Sequence, residues 1–169
     1  MRVIKTKKFF ITRTNHVFDD KDLFLSMDHM ESFSELGMKF SCVRQYISWR
    51  KAIMFGDYRA AVLITRAQTP KEMVKHGRSV MGFDDNIWRQ HRKAIAIQAY
   101  SLKYAQNESG KKFAELERGS FFYASKNEYW GTGLTVSIDD NVNESKFNGE
   151  NLLGEVLTEV QKKIKSIRR

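Results

Sequence analysis

The stretch KFSCVRQYISWRKAIMFGDYRAA, Lys39 to Ala61, decides the architecture. Its apolar positions Val43, Tyr46, Ile47 and Met54, with their neighbours, recur at three and four, which places them on one face of a helix. The spacing predicts a helix from Cys42 to Phe55, with Gly56 available to stop it. Upstream, the step Gly37-Met38-Lys39-Phe40 reads as a turn into a short strand, and Lys8 to Arg13 (KFFITR) has the aromatic and β-branched character of another.

Downstream, a second short helix is expected over Tyr58 to Arg66. Thr69-Pro70-Lys71-Glu72 then shows a capping box with proline at the first helical position, opening a helix that should end near His76 with Gly77 beyond it. The longest helix is predicted over Asp85 to Gln106, capped by Asp84 or Asp85. Its expected buried stripe is Ile87, Trp88, His91, Ile95, Ala99, Leu102 and Ala105, which makes His91 a core histidine. A short helix around Lys111 to Leu116 follows, then the extended pieces FFYAS and LTVSI, separated by the turn-rich KNEYWGTG. A last helix is expected from Asn151 to about Ile167, with Leu152, Leu153, Val156, Leu157, Val160 and Ile164 facing inward. Runs of helices with few strands, and no βαβ alternation, predict a helix-rich α+β single domain with a small β-sheet, spanning residues 1–169.

Composition narrows the function classes. The chain has 169 residues, one proline and one cysteine, Cys42, which cannot form an internal disulfide. Its start, MRVIKTKKFF, lacks the apolar run of a signal peptide, so a cytoplasmic location is expected. The longest aliphatic run, Ala60 to Ile64, falls far short of the roughly 20 residues of a membrane helix, so no membrane partner is expected. A formal charge of +9 favours phosphate-rich partners, although the terminal KKIKSIRR also suits a solvated helix C-terminus. The histidines His16, His29, His76 and His91 are scattered, and no CxxC, HExxH, P-loop, dinucleotide glycine turn or serine-hydrolase elbow is present. The expectation is therefore no metal and no cofactor.

The informative polar and aromatic residues lie at helix starts and turns: Arg44, Gln45 and Lys51 on one helix, Arg78 after Gly77, Trp88, and the loop Asn127 to Gly133 around Trp130. Indole faces can sandwich a purine, while Lys and Arg neutralise a pyrophosphate. Burial in the core is the competing account of either tryptophan.

Five motifs in order resemble the NADAR (YbiA-like) family. Lys39–Ala61 resembles the family's helix with its Glu-Gln-Tyr or Glu-His-Tyr core and Lys-Ala step. TPKEMVKHGRSVMGFDDNIW (69–88), LKYAQN (102–107), ASKNEYWGTGL (124–134) and GENLLGEVLTEV (149–160) resemble its later motifs, so agreement runs from Ser26 to about Val160. The resemblance implies a YbiA-like fold and an N-glycosidase acting on ADP-ribose joined to a base, including ADP-ribosylated guanine in DNA, or on phosphorylated pyrimidine intermediates of riboflavin synthesis. An ADP-ribose-containing substrate, with DNA as one carrier, is the partner it implies. Cleavage of that bond passes through an oxocarbenium-like state and needs a positioned water and stabilisation of the sugar cation.

By the same resemblance, Arg44, Trp88, Asn127 and Trp130 stand at catalytic positions, and Gln45, Lys51, Arg78, Thr132 and Asn151 at ligand-binding ones. Two departures stand out. Arg44 occupies the place of the family's glutamate, and Asn127 that of an aspartate three residues before the second tryptophan. Glu128, Glu31 and Glu35 are the carboxylates that could replace the missing ones in space. Two further readings stay open: an ADP-ribose or nucleotide binder without the chemistry, and a nucleic-acid-binding protein using only its basic surface.

Overall fold

A computed structural model describes residues 6–8, 14–135 and 147–167. The remainder of the KFFITR strand, most of LTVSI and the last two residues of the basic tail lie outside them. The chain divides into two compact units, one formed by residues up to Ser26 together with those from Lys111 on, the other by Met27–Gly110. Among the described residues no helix is long and apolar enough to cross a membrane.

In the Met27–Gly110 unit, strands β3 (Phe33–Glu35) and β4 (Met38–Phe40) form an antiparallel hairpin, with Phe33 opposite Phe40. Its turn, Leu36-Gly37, places both residues at positive φ (48° and 81°), the primed-turn geometry that matches strand twist and favours glycine. Strand β3 itself, three residues with a single buried side chain, carries too little pattern to be legible in sequence. Helix α1 (Val43–Met54) packs against α2 (Tyr58–Arg66), α3 (Pro70–Arg78) and α4 (Asp85–Gln106). Asp57 caps α2 through Ala60, and the capping box of α3 is present with both of its bonds. Helix α3 runs through Gly77 instead of ending before it. A Cβ at Gly77 would stand 3.1 Å from Ser48 Oγ, so glycine serves close packing on α1 and not a stop.

Helix α4 matches its expected bounds but not its expected stripe. The buried side is Trp88, Arg92, Ile95, Ala96, Ala99, Tyr100, Lys103 and Tyr104, whereas Ile87, His91 and Ala105 are exposed. His91 is therefore not a core histidine. The physical reason is that the true stripe contains two cations, Arg92 and Lys103, which apolar periodicity assigns to solvent.

In the other unit, β2 (Thr14–Phe18) is central, antiparallel to β1 (Thr6–Lys8) and parallel to β5 (Gly119–Tyr123), with Thr14 opposite Gly119 and Phe18 opposite Tyr123. The parallel pairing requires a crossover of nearly one hundred residues, which local signals cannot reveal. Helix α5 (Glu108–Glu115), of which only the residues from Lys111 on belong to this unit, begins three residues earlier than expected. Helix α6 (Leu152–Ile167) lies on β5 and buries Leu152, Leu153, Val156, Leu157 and Val160, as its pattern predicts. Gly154 makes that approach feasible, since a Cβ there would meet the Phe121 carbonyl oxygen at 2.1 Å.

Candidate functional site

The expected site residues fall into two groups, one in each unit. In the helical unit, Arg44 sits in the first turn of α1, where its backbone N–H donates to the Met27 carbonyl at 2.9 Å. That bond lays the segment beginning at Met27 along the helix start. Arg44 then grips Asp28 with two nitrogens, Nε to Oδ1 at 2.6 Å and Nη2 to Oδ2 at 3.3 Å. The cation at position 44 thus has a carboxylate of its own.

Beside this pair lies a second. Lys103 is fully buried, with its ammonium 5.8 and 5.7 Å from the Tyr100 and Tyr104 ring centroids and 3.7 Å from Glu31 Oε2. Burial lowers the Lys103 ammonium to about 8, against the opposing pull of Glu31 and Cys42. Cys42 is itself buried with its thiol pushed up by desolvation, within electrostatic reach of Asp28 and Arg44, and its Sγ lies 3.6 Å from Met73 Sδ. His29 Nδ1 stands 4.0 Å from Glu31 Oε2. The side chains of Asp28, His29, Glu31 and Arg44 retain 20–38% of their exposure, so this cluster has a buried floor and a wet rim.

Other members of the group do structural work. Gln45, 2% exposed, accepts from the Ser41 N–H at 2.7 Å and donates to the carbonyls of Ile64, Thr65 and Ala67 at 3.0–3.4 Å, tying α1 to the end of α2. Lys51 donates to the Gly77 carbonyl at 2.8 Å and lies 3.9 Å above the Phe83 ring, with burial lowering its ammonium and Asp85 opposing. Arg78, the next residue after Gly77, is exposed at the end of α3. Trp88 is 4% exposed and does not offer an open ring face.

In the other unit, Asn127, Trp130, Thr132 and Asn151 come together around one loop. The Asn127 side-chain oxygen accepts from the N–H groups of Tyr129 and Trp130, both at 2.9 Å, closing the turn that carries Trp130. Trp130 is 8% exposed, with Tyr129 edge-on to its ring. Thr132 is fully buried; its N–H donates to Tyr123 and its carbonyl accepts from Asn148 and Gly149. Asn151, at φ 51°, uses both ends of its amide on β5, accepting from the Tyr123 N–H at 2.9 Å and donating to the Phe121 carbonyl at 3.0 Å. The loop is close-packed: a Cβ on Gly149 would stand 2.3 Å from the Gly131 carbonyl oxygen.

The Lys103–Glu31 pairing escapes sequence reasoning. Lys103 falls within the LKYAQN motif, but charged residues in a helix pattern are normally read as solvated, so neither its burial nor its partner is legible. The glutamine and asparagine of LKYAQN are explained by the hairpin: Gln106 bonds both the N–H and the carbonyl of Ser34 at 2.8 Å, and Asn107 donates to Ser32 and Lys103 carbonyls.

Comparison with known proteins places this geometry in context. The chain is 32% identical to N-glycosidase R617 of Acanthamoeba polyphaga mimivirus over 133 residues, 78% of this chain and 76% of that protein. It is 28% identical to Protein irg-1 of Caenorhabditis elegans over 131 residues, 75% of this chain and 62% of that protein, and so spans less than two thirds of it. The NMR structure of the Escherichia coli protein YbiA superposes with a TM-score of 0.70 over 90% of this chain and 86% of that one at 17% identity, which establishes a shared α+β fold. The model of the NADAR domain matches residues 9–165, and the chain belongs to that family.

Proposed function

We propose that the protein is an N-glycosidase that hydrolyses the bond between the ribose anomeric carbon of ADP-ribose and a base, with ADP-ribosylated guanine in DNA as the leading substrate. Kinship with N-glycosidase R617 supports the reaction class. The observation that carries the reading is the cluster of two carboxylates and two cations at the start of α1, with a buried floor and an accessible rim. An oxocarbenium-like sugar needs a nearby anion, an attacking water needs a base, and a diphosphate needs cations; the cluster supplies all three kinds of group. Because both indoles are buried, the reading rests on this cluster and not on stacking between ring faces. The +9 charge of the chain suits a polyanionic carrier such as DNA.

The direct test is incubation with ADP-ribosylated guanosine and with an oligonucleotide bearing the same adduct, followed by chromatography of the products. Free ADP-ribose and unmodified guanine are expected. No release at enzyme concentrations stoichiometric with substrate would remove the reading.

A second reading, an ADP-ribose binder without turnover, is favoured by Arg44, a cation where the family carries a glutamate. Calorimetry that records binding together with no product release would select it.

A further inference from the structure

We infer that Glu31 is the catalytic carboxylate of this chain, replacing the glutamate whose place Arg44 occupies, and that Lys103 is its positioning residue. The inference rests on the N-glycosidase reading above. Four acids, Asp28, Glu31, Glu35 and Glu128, compete for the role, and the hydrogen-bond geometry separates them. Both Asp28 oxygens are held by the Arg44 guanidinium. Glu35 accepts from the Tyr46 hydroxyl at 2.9 Å on one oxygen and from Gln98 at 3.1 Å on the other, with Arg50 at 3.7 Å. Glu128 is exposed on the loop of the other unit.

Glu31 alone combines placement with spare capacity. Its Oε2 is buried and accepts no hydrogen bond among the described residues, although Lys103 stands at 3.7 Å. Buried carboxylate oxygens are ordinarily satisfied, and one that is not has room for an incoming donor such as water. Lys103 cannot swing away, because it emerges from the buried side of α4 between two tyrosine rings. The side chain of Glu31 keeps 20% of its exposure, so the carboxylate borders the rim while Oε2 itself lies beneath it.

In the step assigned to it, water oxygen bonds to the anomeric carbon while the carbon–nitrogen bond breaks, and that bond's electron pair goes to the base nitrogen. One water proton passes to Glu31, and the nitrogen takes up a proton from Glu31 or from solvent. The products are ADP-ribose with a new hydroxyl and the neutral base, and a proton drawn from solvent is replaced by the one Glu31 returns.

The test compares wild type, E31Q, E31D and K103M on ADP-ribosylated guanosine, each checked by thermal melting. With the fold retained, E31Q should lower kcat by about 10²- to 10⁴-fold, the usual cost of losing a general base. Wild type is expected to lose activity above about pH 8 as Lys103 deprotonates, and K103M is expected to lack that limb, a change that mere scaffolding would not produce. An E31Q enzyme turning over at the wild-type rate overturns the assignment while leaving the N-glycosidase reading intact. Wild-type inactivity removes that reading, and this assignment with it. Should E31Q fail to fold, E31D decides: a shortened carboxylate with a lowered kcat supports the role, and an undiminished kcat overturns it.

Discussion

Two positions of the candidate site, one in each unit, hold their surroundings in opposite ways. At Arg44 a cation is met by charge: Asp28 receives the guanidinium on both oxygens, and in the same unit Glu31 faces Lys103. At Asn127 an uncharged amide closes a turn. The bonds required there, to the N–H groups of Tyr129 and Trp130, need only an oxygen, which asparagine supplies as well as aspartate. Holding the chain is therefore a local matter where an amide oxygen serves as a cap, and a matter of several residues where charge is balanced.

The comparison can be broken by substitution. The largest stability effect is expected from a third position, Asn151, whose amide is engaged at both ends. N151A would leave the Tyr123 N–H and the Phe121 carbonyl without their partners, costing about 2–4 kcal/mol, read as a shift in the urea midpoint. Next comes R44E, which sets two carboxylates face to face and should cost about 1–2 kcal/mol; the exchange D28R/R44E should recover most of it. An additive double variant would show that the pair does not couple. Smaller again is N127A, which removes the capping oxygen for about 1 kcal/mol. N127D should change stability by less than about 0.5 kcal/mol, and a larger shift in its melting curve would end the account of Asn127 as a hydrogen-bond acceptor that closes the turn.

Much of the fold was legible. Helices α2 and α4 have their expected bounds, and α6 buries five of the six residues its pattern names, with Ile164 left half-buried, because caps and apolar spacing agree there. The misreadings share one cause: residue types were judged by their usual role. Gly77 was expected to stop α3 yet sits inside it against Ser48, and His91 was expected in the core yet is exposed while Lys103 on the same helix is buried. Strand β3 is too short to carry a pattern, and the parallel β2–β5 pairing depends on a partner distant in sequence. For the candidate site, the motifs drew attention to Arg44 and Asn127, but which acid answers Arg44 is a fact of three dimensions. Gln45, Thr132 and Asn151, polar and aligned with the family, prove to be tied into backbone.

Gln106 gives the hairpin a boundary. The N–H and carbonyl of Ser34 point away from β4, and the glutamine amide meets both in the manner of one further rung. An unpaired strand margin is a template on which another chain can dock. By filling that rung from a helix, the protein closes the template with a side chain, and a two-stranded ribbon can stand at the surface without recruiting a third strand from a neighbouring molecule.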